Sequence, residues 1–134
     1  MRRFFVLNLI LCVLTLGCTS GGQGEAVCAG SATLRVHPTR AEPGQTLRIT
    51  GDGFAADCVD NPAAEEGPDR DVSVEFRQGS RTWRLATVAA DPGNSIELKL
   101  DVPRDSKPGE AQVVATGNVW AGKDRLLVVA DTSG

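Results

Sequence analysis

The sequence predicts an all-β fold: an antiparallel sandwich of two sheets built from about seven short strands. Three observations lead there. Runs of five to eight residues alternate apolar and polar side chains, the period of a half-buried strand. Turn dipeptides Pro43-Gly44, Pro92-Gly93 and Pro108-Gly109 separate those runs. With 15 glycines and 7 prolines in 134 residues, no segment sustains a capped helical period.

The chain opens on Met1-Arg2-Arg3 and the apolar run FFVLNLILCVLTL. That run is short for a membrane span but suits the hydrophobic region of an export leader. Leader residues 1–17 are expected to be removed. Residues 18–31, rich in Gly and Ser near their start, read as a flexible tether with an r.m.s. span of about 15–20 Å. The folded domain is expected over 32–131.

Seven strands follow in order. TLRVH (33–37) and TLRIT (46–50) turn Leu34 and Val36, then Leu47 and Ile49, to one face. VSVEF (72–76) presents Val72, Val74 and Phe76, and TWRLATVA (82–89) presents Trp83 and Leu85, with Trp83 read as core. SIELKLDV (95–102) alternates Ile96, Leu98, Leu100 and Val102 inward with Glu97, Lys99 and Asp101 outward. AQVVAT (111–116) and RLLVVA (125–130) are less polar and are expected nearer a sheet centre. Seven such strands in about 100 residues point to an immunoglobulin-like sandwich. The start of the first strand and the loops after the second, fourth and sixth would then share one end. With aromatics at 4% and no tyrosine, the core must be Val, Leu, Ile and Ala, and no tyrosine corner can form.

Two resemblances sharpen this reading. Gly17-Cys18 after Thr15-Leu16 resembles the lipobox of bacterial lipoproteins, which implies that Cys18 becomes an acylated N-terminus. The implied protein sits on the extracytoplasmic face of the cell membrane, held by its lipid. A plain secretory leader with an incidental cysteine is the alternative. The stretch LRVHPTRAEPGQTLRITGDGF carries Pro38, Pro43-Gly44 and Gly51-Asp52-Gly53-Phe54. It resembles the opening of the IPT/TIG group of Ig-like domains, and the likeness continues over 33–129 through VEF, Val102-Pro103 and PGEAQVVAT. That group implies binding, spacing or assembly; the long insert after Phe54 departs from its pattern.

Once Cys12 leaves with the leader and Cys18 is the anchor, Cys28 and Cys58 remain. An even pair in an exported chain reads as a disulfide, worth roughly 3–4 kcal/mol in the chain-entropy model for a loop of about 30 residues. A metal-binding pair is the rival, though no further Cys or His accompanies them.

The segment DCVDNPAAEEGPDRD (57–71) gathers Asp57, Asp60, Glu65, Glu66, Asp69 and Asp71. Such oxygen ligands could hold Ca²⁺, but the spacing fits no EF-hand loop. A solvated acidic loop or a partner-binding loop are the other readings. Trp120, in GNVWAGKD (117–124), would sit at the tip of a connection at the same end, as a contact for a protein or sugar partner or as local packing.

Reaction chemistry is thinly represented. His37 is the single histidine, and no nucleophile elbow, zinc-protease helix or phosphate-cradling glycine loop occurs. A net charge of −3 with no basic run argues against nucleic acid. The expected protein is a non-catalytic, cofactor-free, lipid-anchored interaction module whose partner is a protein or an envelope polymer. The alternative is a small-ligand or Ca²⁺ binder using loop 57–71.

Overall fold

The structure is a computed structural model, and it describes residues 31–57 and 67–132. Eight strands form two sheets, with no helix among the described residues. β1 (Thr33–His37), β3 (Thr46–Asp52) and β6 (Ile96–Asp101) make a three-stranded sheet in the order β1-β3-β6. β2 (Arg40–Ala41), β4 (Val72–Gln78), β5 (Arg81–Val88), β7 (Gly109–Thr116) and β8 (Ala121–Val128) make a five-stranded sheet in the order β2-β8-β7-β4-β5. This is an Ig-like sandwich. All pairings are antiparallel except β2 with β8.

Alternation does what the sequence predicts. Leu47 and Ile49 on the central strand β3 are fully buried, as are Val72, Val74 and Phe76 on β4 and Val113 and Ala115 on β7. Each lies between strands on both sides and faces the opposite sheet. Leu98 and Leu100 point inward too, yet stay half-buried because β6 is an edge strand. Trp83, Leu85 and Val88 on the other edge, β5, likewise pack against the core only in part.

The fourth strand does not cross to the small sheet as in a constant-type Ig domain. Gln78 pairs with Arg81, leaving a two-residue loop of Gly79 and Ser80 with Gly79 at φ +57°. So short a connection obliges β5 to lie beside β4 in the same sheet. A register shift between Val74 and Glu75 then breaks the alternation of β5. Beyond it Ala86 and Val88, rather than Leu85, are the register partners of inward Val74 and Val72.

Two further departures have local causes. β2 is only two residues long, below what a periodic pattern can signal; it follows the cis His37–Pro38 bond and switches the chain from one sheet to the other. The last strand runs over 121–128 rather than 125–130 because Ala121 to Asp124 pair with Val113 to Thr116. A glycine inside that strand is required, since a Cβ on Gly122 would meet the Thr33 carbonyl carbon at 3.1 Å and Leu34 Cβ at 3.2 Å. There β1 crosses close to β8, and Asp124 on β8 accepts the Val36 N–H at 2.8 Å. A carboxylate facing inward at an open sheet margin satisfies an edge group that would otherwise invite another strand.

Candidate functional site

The loops 53–57 with 67–71, 89–95 and 117–120 meet at one end of the sandwich, as expected. Their junction is Asp69, fully buried. Its Oδ1 accepts the Asp71 N–H at 2.9 Å and its Oδ2 the Asn118 N–H at 2.5 Å. Its main chain donates to Phe54 O at 2.9 Å and accepts from Ala90 N at 2.7 Å. One residue thus ties three loops together, its carboxylate holding loop 117–120 and its main chain the other two. Gly117 leaves it room: a Cβ there would lie 2.3 Å from Oδ2.

Of the acidic residues proposed as metal ligands, Asp57, Asp69 and Asp71 are described, and Asp60, Glu65 and Glu66 lie outside the described residues. Among the described residues no three His, Cys, Asp or Glu side chains gather in a metal-binding arrangement. Asp69 turns both oxygens to backbone N–H groups, while Asp71 is exposed. Cys18, Cys28 and Cys58 also lie outside the described residues. Nearby, Ser31 runs against Gly53, where a Cβ would be 3.0 Å from Ser31 O. Trp120 is half-buried against the core and its carbonyl closes the turn with Gly117 N at 2.8 Å. The exposed large apolar side chain of that loop is Val119, at 38%.

At the opposite end, Asp105 receives Arg81 as an ion pair and the Trp83 indole N–H at 3.1 Å. Arg81 stacks 4.4 Å above the Trp83 ring, which meets Phe76 edge-on at 5.6 Å. The Arg81 hydrogen bond, first among the causes, holds the Asp105 carboxyl below its ordinary pKa. Gln78 exchanges two hydrogen bonds with the Lys107 backbone, at 2.6 and 3.0 Å, and so pins the β4–β5 hairpin to the β6–β7 loop.

The outer faces of the two sheets differ in charge. On the small sheet Arg35, Arg48 and Lys99 are matched by Asp52, Glu97 and Asp101. Arg48 pairs with Glu97 at 2.7 Å, and Asp52 and Asp101 accept hydroxyl hydrogen bonds at 2.6 Å. On the five-stranded sheet, register places Arg40, Arg77, Arg84, Lys123 and Arg125 outward with only Glu75 and Glu110. Arg77 is held by Glu75 through Nε and Nη2, at 3.1 and 2.8 Å. Arg40, Arg84, Lys123 and Arg125 make no ion pair among the described residues.

Between these cations lies an open cleft of about 360 Å³ lined by Arg77, Gly79, Glu110, Ala111, Gln112 and Arg125. A second, of about 410 Å³, lies between the hairpin tip and the β6–β7 loop, lined by residues that include Arg81 and Lys107. The two share Gly79 and Glu110. Sequence reasoning missed this surface because its cations come from four strands and never form a run. The available signal was register: Arg77, Lys123 and Arg125 each occupy the polar phase of an alternating strand.

No family model matches the chain, and no curated protein matches it. Several solved structures align with this chain at low identity. The sporulation control protein Spo0M of Bacillus subtilis is 13% identical, with 77% of this chain aligned to 50% of that one at a TM-score of 0.42. A β-glucosidase of Erythrobacter marinus is 13% identical over 72% of this chain and 15% of its own, at 0.43. A putative superoxide reductase of Thermotoga maritima is 6% identical over 75% and 86%, at 0.44. The chain thus spans about half the length of Spo0M. Likenesses this distant carry no argument about what the chain does.

Proposed function

We infer that this protein is an exported lipoprotein, acylated on Cys18 and held at the extracytoplasmic face of the cell membrane, whose Ig-like domain is a non-catalytic binding module of the cell envelope. The observation that carries the binding role is the unequal charge of the two outer faces. In a chain of net charge −3, five cations against two carboxylates on one sheet face is a concentrated field of opposite sign. Solvation alone does not demand such segregation; recognition of an anionic partner does.

The anchoring role rests on the leader and on Gly17-Cys18. Acyl chains on Cys18 would hold the protein on a bilayer, and the tether would keep the domain within a few nanometres of it. The IPT/TIG resemblance supports binding or spacing rather than catalysis. A Cys28–Cys58 bridge would join segments that flank contacting residues, since Ser31 lies against Gly53.

The test is the chemistry of the mature N-terminus. Mass spectrometry of the exported protein should find a cleaved chain beginning at an acylated Cys18. Cys18→Ser should abolish fatty-acid incorporation and move the protein out of the detergent phase. An unmodified terminus on freely released protein would refute the anchor.

A further inference from the structure

We propose that the outer face of the five-stranded sheet is a binding trough for an extended, carboxylate-bearing polysaccharide. The trough runs from Arg125 and Arg77 over Gln112 and on past Gly79 to Lys107. This deepens the binding-module reading and rests on it.

The shape comes first. Two open clefts share Gly79 and Glu110 in their linings, so they adjoin at the β4–β5 hairpin and neither is a closed pocket. That shape suits a linear chain lying across the sheet. It suits neither a single buried small molecule nor a bilayer, which would rest on the rim and leave the floor unfilled.

Spacing and chemistry narrow the ligand. Arg77 and Arg125 are both register partners of Gln112, so two strand gaps, about 10 Å, separate their backbones. Lys123 precedes Arg125 by two residues along β8, and Arg84 stands across Glu75 on β5. The cations are therefore spread singly, which matches isolated single charges on a polymer better than a compact polyphosphate. Arginine forks accept carboxylates in two-point geometry. Arg77 is already oriented by Glu75, which commits Nε and Nη2 and leaves Nη1 uncommitted among the described residues. Between the walls, Gln112 offers an amide group of the kind that hydrogen-bonds sugar hydroxyls. Glu110 stands in the trough and disfavours densely charged ligands.

The partner is identified by this chemistry alone: a linear glycan with a carboxylate at intervals along its chain. The probe is sodium polygalacturonate, titrated against the exported protein purified in a nonionic detergent. Saturable binding at low salt should be lost by about 0.5 M NaCl, where exposed charges are screened. Arg77→Ala and Arg125→Ala should each weaken it by about tenfold, the scale of one charge-assisted contact. Glu110→Gln should tighten it, and Arg48→Ala on the opposite face should leave it unchanged. Thermal unfolding at the wild-type temperature in each variant certifies the fold.

The proposal is overturned by any of three results. These are no binding of polygalacturonate, equal binding by the Arg77→Ala/Arg125→Ala double variant, or tighter binding of a different anion. The competing anions are poly-glutamate, single-stranded polythymidylate and vesicles of phosphatidylcholine and phosphatidylglycerol in equal parts. Acylation is not read by this assay, and the Cys18→Ser protein should bind the probe as well as the wild type. Failure of the trough and failure of the anchor are thus separate results.

Discussion

The loop end and the outer face of the large sheet use charged residues in opposite ways. At the loop end, Asp69, one of the six acidic residues read from the sequence as possible ligands, is buried and committed on both oxygens to main-chain N–H groups. On the sheet face, Arg84, Lys123 and Arg125 stand exposed and make no ion pair among the described residues. One set of charges builds the molecule; the other is left for something outside it. A buried carboxylate is stabilising only while its hydrogen bonds are complete, whereas an exposed guanidinium contributes little to folding and keeps its field for a partner.

That contrast gives a ranked set of tests. Asp69→Ala should have the largest effect, lowering unfolding free energy by about 3–4 kcal/mol, because two backbone donors lose their carboxylate acceptor and loop 117–120 loses its tie to loop 67–71. Urea titration followed by tryptophan fluorescence would measure it, and a change below about 1 kcal/mol would break the contrast. Gly117→Ala comes next, at about 1–3 kcal/mol, since its new methyl must push Asp69 off Oδ2's present position. On the sheet face, Arg125→Ala and Arg84→Ala should change stability by no more than about 0.5 kcal/mol by the same titration.

The smallest effect belongs to Asp105, which is exposed and bound by Arg81 and Trp83. Its pKa is lowered in the folded protein, mainly by the Arg81 hydrogen bond. Its contribution is therefore present above the unfolded carboxyl pKa of about 3.9 and is lost as pH falls through the lower folded value. Asp105→Asn should lower the melting temperature slightly at neutral pH, less so at high salt, and the gap should close in strong acid. A gap that widened on acidification would reverse the assigned sign.

Much of the fold was legible because burial on a sheet follows a two-residue period. Leu34, Val36, Leu47, Ile49, Val72, Val74, Phe76, Ile96 and Val102 could be placed from that period alone. What escaped has physical reasons. The two residues of β2 are too few for periodicity, and Gly122 breaks the apolar pattern of β8 where a neighbouring backbone needs the space. The side of the sandwich taken by β5 was written in Gly79-Ser80, a two-residue hairpin signal that strand counting passes over.

The site was less legible than the fold. Composition drew attention to acidic loop 57–71 and Trp120, because clustered charge and a tryptophan in a glycine-flanked connection stand out in a linear string. The sheet cations do not stand out, since adjacency between Arg77, Gln112 and Arg125 exists only after strands β4, β7 and β8 pair. The inference from a missing basic run to a missing basic surface fails for that reason. In a β-protein, a patch one residue deep on each of several strands has no counterpart in sequence order.

Mapping amide chemical shifts during titration of the isotopically labelled protein with polygalacturonate tests the central claim most directly. The account predicts perturbations concentrated on the outward rows of β4, β7 and β8, at Arg77, Gln112 and Arg125, fading with added salt and sparing the loop end around Asp69 and Asn118. Perturbations gathered at that loop end, or spread over the small sheet around Arg48 and Glu97, would contradict it.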